Sequence, residues 1–246
     1  MQLTEEPILA PLLERWSKRA SLDEAARDAL LALPAIRRAC GRDAYLVREG
    51  ETTVTCNLML SGFAYRQKFV ANGARQIISV HVPGEFVDLQ NALLPIADHN
   101  VQCLSRCEVA VIPKTALLAV MDARPQIARA MWLDTLIDAS IFREWVVYVG
   151  RRDARSRISH LLCELVLRLC GREAAPGSTC AFPLTQEQLA DATGLTPVHT
   201  NRTLQGLRRE GLIRLTTHKL TVLDWAGLSE IGDFDERYLH HEVPGG

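Results

Sequence analysis

Apolar positions near the N-terminus recur at helical spacing, first Leu12, Leu13 and Trp16, then a run from Ser21 through Ala25, Leu30 and Leu33 to Pro34. Ser21 and Glu24 supply a Ser-x-x-Glu cap for the second run, and helix is predicted over residues 8–38. From Tyr45 the period shortens. Alternating, β-rich runs over 45–47, 54–60, 64–70, 76–82 and 101–112 are punctuated by Gly50, Gly62, Gly73 and Gly84, which fall 12, 11 and 11 residues apart. Turn residues at that interval mark an antiparallel sandwich or barrel, so residues 40–112 are expected to form a compact β-roll or jelly roll. The helical period returns over 114–123. A long segment follows from Pro125 through Ile127, Met131, Trp132, Leu136, Ile137, Ile141, Trp145 and Val149 to Gly150, ~36 Å of helix at 1.5 Å per residue. Its apolar residues cover more than one face, which points to a partner subunit on one side; burial within a monomer is the alternative. Asp134 and Asp138 interrupt the seam that a regular coiled coil would require. Another helix is expected over 153–170, apolar at Ile158, Leu161, Leu162, Leu165, Val166 and Leu169, followed by a loop over 171–180.

The chain of 246 residues is 48% hydrophobic and 23% charged, which excludes disorder and collagen-like structure. No apolar run approaches the ~18 residues of a membrane span, and the start of the chain lacks a signal-peptide pattern, so a cytoplasmic protein without a membrane partner is expected. The seven cysteines are scattered and contain no Cys-x-x-Cys pair. They fit free, buried thiols rather than a disulfide framework.

The formal net charge of −1 at first argues against nucleic acid. By segment the picture changes. Residues 151–223 carry eleven Lys+Arg against six Asp+Glu, and residues 224–246 carry one Arg against six acids. A basic module is therefore followed by an acidic tail.

Within the basic segment, Thr185-Gln186-Glu187-Gln188 forms a capping box opening a helix with Leu189, Ala190 and Ala192 on one side, and Gly194 ends it. Thr196 and Pro197 cap and start a second helix that stops at Gly211. Two short helices joined by a glycine turn form a helix-turn-helix. Leu204, Leu207 and Thr200 face inward, while Val198, Asn201, Arg202 and Gln205 lie along another face. Arg forks onto guanine and Asn pairs with adenine in the major groove, so Asn201 and Arg202 are the expected base readers, with Val198 against a thymine methyl. Thr185 joins the expected contact set from the first helix. The backbone amides at the Thr196 cap, with Thr196 and His199, suit phosphates. Residues 211–215 and 220–223 then make a hairpin wing around Thr217, His218 and Lys219, with a basic tip.

With these features in this order the chain resembles the Crp/Fnr superfamily of bacterial transcription regulators over roughly residues 10–225, most specifically over 184–213, LTQEQLADATGLTPVHTNRTLQGLRREGLI. The resemblance implies an α+β protein in four parts. These are an N-terminal double-stranded β-helix or jelly-roll sensor domain with its preceding helices (1–124), a long dimerisation helix (125–150), a winged helix-turn-helix (151–225) and the acidic C-terminal tail (226–246). It implies a homodimer on a palindromic double-stranded operator, with RNA polymerase as partner, and leaves open whether the β-roll takes a small-molecule effector or none. Many members begin the recognition helix with Arg-Glu; here Pro197 and Val198 stand there and only the later Arg202 is retained.

In cyclic-nucleotide-binding members a Gly-Glu pair engages the ribose and a later Arg neutralises the phosphate. Gly84 and Glu85 match the first half, but the second half is Asp98-His99-Asn100-Val101 without an Arg, and Arg106 lies further along. An uncompensated buried phosphate is costly, so cyclic AMP is not expected and the effector is left unassigned, with Gly84, Glu85, His99 and Asn100 as the candidate pocket. The cysteine cluster of iron–sulfur members is missing near the N-terminus. Cys103 and Cys107, with His99 nearby, fit a metal or redox site or two buried apolar positions, and the second reading is preferred. The competing class is a metal-dependent cupin-like enzyme, which needs a His-x-His pair. His81 and His99 each stand alone. No catalytic residue, metal ligand or cofactor is therefore assigned.

Overall fold

The computed structural model describes residues 7–170, 177–216 and 218–241. Residues 1–6, most of the expected 171–180 loop, Thr217 of the wing tip and the end of the expected tail lie outside them. The chain divides into two compact units, the first of residues 1–67, 80–139 and 240–246, the second of residues 68–79 and 140–239.

The first unit opens with helices α1 (Ala10–Ser17) and α2 (Glu24–Leu31). The cap of α2 is Asp23, whose carboxylate accepts from the Ala26 amide at 2.8 Å, rather than the expected Ser21. The expected helix over 8–38 ends early, because β1 (Ile36–Cys40) is an edge strand with Arg37 and Arg38 turned outward. The strands β2 (Tyr45–Val47), β3 (Thr55–Ser61), β4 (Ala64–Phe69) and β5 (Arg75–His81) follow, and the expected run over 101–112 is two strands, β6 (Asn100–Cys103) and β7 (Cys107–Pro113). They form two antiparallel-paired sheets, β1-β7-β3 and β2-β6-β4-β5.

Alternation along β3 and β7 buries both faces of the first sheet. Cys56, Leu58, Ala110 and Ile112 join Leu12, Trp16, Leu30, Leu117 and Ile127 in a core shared with the helices. Met59, Cys107 and Val109 turn the other way, onto Val47, Val87, Val101 and Cys103. Helix α3 (Lys114–Ala123) leads into α4 (Pro125–Arg151).

Helix α4 explains its own interrupted seam. Asp134 is buried and meets Arg15 and Arg19, each at 3.2 Å, while Asp138 pairs with Arg66. Both acids thus belong to the inward face. The outward face exposes Trp132, Leu136, Phe142, Val146 and Val147, which fall within one side of the helix and leave an apolar stripe along it.

In the second unit α5 (Ala154–Cys170) is buried from Ile158 to Leu167 and forms the centre. Around it lie α6 (Gln186–Thr193), α7 (Pro197–Arg209), the sheet β8-β10-β9 (Thr179–Ala181, Lys219–Val222, Ile213–Thr216) and α8 (Trp225–Gly232). Strand β8 falls in the expected loop. The expected acidic tail contains α8, which packs on α5, and Phe234 and Tyr238, whose rings lie 5.0 and 5.7 Å from His160. Beneath them the buried Glu164 carboxylate accepts from Trp145 Nε1 (3.0 Å), Arg168 Nη1 (2.8 Å) and the Tyr238 hydroxyl (3.0 Å). A buried carboxylate is tolerated only with such partners.

Candidate nucleic-acid interface

Helix α6 begins where the hydroxyl of Thr185 accepts from the Gln188 amide (3.1 Å) and the Gln188 side chain accepts from the Thr185 amide (3.0 Å), a closed capping box. Its C-terminal carbonyls, which an isolated helix leaves bare, are met by the side chains of Gln76, Tyr148 and Arg157, residues that the second unit includes in its segments 68–79 and 140–239. Gln76 donates to Asp191 O (2.7 Å), Tyr148 to Ala192 O (3.0 Å) and Arg157 to Thr193 O (3.0 Å). Arg75 pairs with the Asp191 carboxylate at 2.6 Å. Gly194 then takes φ +65°, the left-handed turn that a side chain would strain, and aims the chain into α7.

Helix α7 is capped by Thr196, whose hydroxyl accepts from the His199 amide at 3.2 Å, with Pro197 in the first turn. Thr200, Leu204 and Leu207 are buried, as the spacing predicts. Thr196, Pro197, Val198, His199, Arg202 and Gln205 are exposed, and Asn201 is half-buried. Val198 is 81% exposed, too much for an apolar side chain in a helix with a packed opposite face to owe to packing. Gln205 Nε2 approaches Asn201 Oδ1 at 3.4 Å, so the two amides act as a pair on the reading face. Among the described residues Arg202 has no hydrogen bond or ion pair that would hold its guanidinium back.

The structure therefore gathers Val198, His199, Asn201, Arg202 and Gln205 on one element. Thr185 sits apart, at the start of α6, with its hydroxyl engaged in the cap. His218 and Lys219 are exposed in the wing; His218 has φ +63° and Lys219 opens β10. Arg208 donates to Leu215 O at 2.9 Å, which ties α7 to β9 and so fixes the wing's root. Sequence reading missed Arg155 and Arg209. With His199 and Arg202 they line an open groove of about 450 Å³ beside α7, where Arg155 also pairs with Glu210. Arg209 was visible as a charge in the last turn of α7, whereas Arg155 belongs to a different helix and only the fold brings it here.

The expected effector residues are differently employed. Glu85 is buried, accepts from the Val82 amide (3.2 Å) and faces Arg15 Nη1 (3.3 Å) and His81 Nδ1 (3.6 Å). Gly84 takes φ +85° and lies under α1, with Pro11 O and Arg15 Cδ as its nearest neighbours. The Gly84–Glu85 turn is thus a seat for α1. Asn100 accepts from the Glu49 amide (3.1 Å). His99 is held between Asp98 (2.6 Å) and Gln90 (3.3 Å), away from the cysteines it was expected to neighbour. Burial pushes the His81 imidazole down to about 4, and burial also lowers His99. Neither histidine belongs to a cluster of three potential metal ligands among the described residues.

Comparison with known proteins agrees with this architecture. Residues 37–124 match the cyclic nucleotide-binding domain family and residues 156–231 the Crp-like helix-turn-helix domain family. The chain is 24% identical over 216 residues to the nitrogen fixation regulation protein FixK of Azorhizobium caulinodans, covering 85% of each chain. It is 28% identical over 180 residues to the transcriptional activator protein FnrL of Cereibacter sphaeroides, covering 71% of this chain and 72% of that one. Its fold matches FixK2 of Bradyrhizobium japonicum with a TM-score of 0.74 at 22% identity, over 81% of this chain and 98% of that one. A β-roll of the cyclic-nucleotide-binding type, a long helix and a winged helix-turn-helix with an open basic reading face, in one chain with these relatives, identify it as a member of the Crp/Fnr superfamily of DNA-binding transcription regulators.

Proposed function

We propose that the protein acts in the cytoplasm as a homodimer, with α4 as dimerisation helix, and places two copies of α7 in successive major grooves of a palindromic operator. The observation that carries the reading is the α7 face on which Val198, Asn201, Arg202 and Gln205 stand together on a helix whose start and inner face are fixed. Asn201 and Arg202 read bases; Thr196, His199, Lys219 and the missed Arg155 and Arg209 suit phosphates. The outward stripe of α4 supports self-association, because an apolar row of that length in water calls for a partner. RNA polymerase is the partner a regulator of this kind addresses, and no catalytic role is assigned to the chain. The engaged Glu85 and the missing phosphate-binding Arg favour an effector other than cyclic AMP.

Selection from a randomised double-stranded DNA pool tests the reading directly. Enrichment of a two-fold symmetric motif, with half-sites about 34 Å apart along the duplex, is the expected result. Recovery of unrelated sequences, at an affinity equal to that for the starting pool, overturns it.

A further inference from the structure

Three cysteines from three strands meet at one end of the β-roll. Cys40 closes β1 directly opposite Cys107, the first residue of β7, and Cys103 closes β6. Their sulfurs all lie within 4.8 Å of one another, and Cys103 and Cys107 are 3.1 Å apart. Cys103 and Cys107 are buried, while Cys40 is half-exposed and opens the cluster to solvent. The packing around them is built for the approach. At Gly62, with φ +77°, a Cβ would fall 2.6 Å from Cys107 Cβ and 2.4 Å from the Arg106 carbonyl, so only glycine lets the neighbouring turn close over Cys107.

We propose that Cys40, Cys103 and Cys107 form a three-thiolate site for a single thiophilic d10 cation, Zn(II) or Cu(I). A metal–sulfur bond of about 2.3 Å sets three sulfurs around one ion roughly 4 Å apart. The Cys103–Cys107 separation is 3.1 Å and no pair exceeds 4.8 Å, so shifts of about 1 Å or less complete the site. Soft sulfur donors select these ions over magnesium or calcium. No fourth Cys, His, Asp or Glu joins the cluster among the described residues. Three sulfurs complete a trigonal Cu(I) centre, and Zn(II) takes its fourth ligand from solvent on the Cys40 side. Three sulfurs all within 4.8 Å of one another suit a single ion, whereas a polynuclear iron–sulfur core spreads its cysteines over two or more irons.

Binding requires thiolates, so an arriving cation displaces the thiol protons to water. Two cysteines used only as apolar filling need no third thiol from an opposing strand.

The experiment is a competition titration of the reduced, full-length protein against chromophoric chelators, one arm with Zn(II) and one with Cu(I). One equivalent retained per chain in either arm is expected, and the tighter arm identifies the ion. Cys40→Ser, at a half-exposed position, is expected to weaken retention at least roughly 100-fold, more than an outer-shell loss, while Cys180→Ser, outside the cluster, leaves it unchanged. A second readout needs no variant: in the wild-type protein, bound ion protects Cys40, Cys103 and Cys107 from alkylation, and the labelling of Cys163, Cys170 and Cys180 does not change. Failure to retain either ion, or retention and protection unaltered in Cys40→Ser, overturns the proposal. The site stands or falls independently of DNA binding.

Discussion

Arg202 and Lys219 carry the same charge on the same unit, and their settings assign them different work. Arg202 is exposed in the second turn of α7, on the face that shows Val198 and Gln205, where a planar fork meets guanine edges. Lys219 stands at the first position of β10, next to the wing tip, and meets DNA as a point charge. Arg202→Ala is therefore expected to cost ~1–3 kcal/mol of specific binding and to relax preference at one base pair. Lys219→Ala is expected to weaken all sequences alike and to reduce the slope of log affinity against log salt by about 1. Mobility-shift titrations against the operator and its single-base variants, at several salt concentrations, separate the two. Equal, sequence-independent losses for both would remove Arg202 from base reading. This face was legible in the sequence, since Thr196, Pro197 and the Leu204–Leu207 spacing orient the helix without help from the rest of the fold. Arg155 was not, because its place beside α7 depends on tertiary packing.

At the scale of elements, the segments with strong local signals were readable and those defined by pairing were not. Thr185 and Gln188 announce α6 within four residues. Strand β1 carries Arg37 and Arg38 outward on an edge and shows no alternation, so it was absorbed into the preceding helix. The meeting of Cys40 with Cys107 is set by strand register across most of the β-roll, which no local pattern encodes. Helix α8 has one charged residue of its own, Glu230, and was hidden by the acids that flank it, which read as an acidic tail; yet Leu228 is buried and α8 packs on α5. Its close approach is testable. A Cβ at Gly232 would lie 2.9 Å from the His160 amide nitrogen and 3.1 Å from its Cα, both backbone atoms that cannot swing aside. Alanine ordinarily gains ~1 kcal/mol over glycine in a helix, but overpacking of this kind costs ~1–3 kcal/mol. Gly232→Ala is therefore expected to lower stability in urea denaturation, where an ordinary helix glycine would raise it.

For the whole molecule, the exposed stripe on α4 makes self-association the first property to measure. Trp132→Glu, at a side chain 68% exposed, is expected to leave the fold intact by circular dichroism and to shift the protein to monomer by sedimentation at micromolar concentration. Acid stability follows from buried titratable groups. His81 titrates at 6.5 when unfolded and at about 4 when folded, because burial and Arg66 disfavour its charge. The unfolded chain thus binds the extra proton between those values, so the His81 contribution is complete above pH 6.5 and is lost as pH falls toward 4. Burial lowers His99 and His160 in the same sense. Asp88 opposes them: burial raises its carboxyl from 3.8 to about 6, so the folded form keeps a proton that the unfolded chain releases, and acidification through that range restores stability. The expected net result is an unfolding free energy, from urea denaturation, that falls by ~1–3 kcal/mol from pH 7 to 5, with a steeper fall in Asp88→Asn. The acidic C-terminal segment bears on DNA differently from what its composition suggests. Asp224 caps α8 and Asp233 pairs with Arg152, so these carboxylates are anchored, while Asp235 is paired locally with Arg237. A loose acidic tether competes with DNA for a basic face at high effective concentration, as a built-in mimic of the phosphate strand. An anchored one has no such reach. Truncation before Trp225 should therefore yield no gain in DNA affinity, only a less stable second unit with Glu164 deprived of a donor, an outcome that paired melting and binding curves distinguish from relief of self-competition.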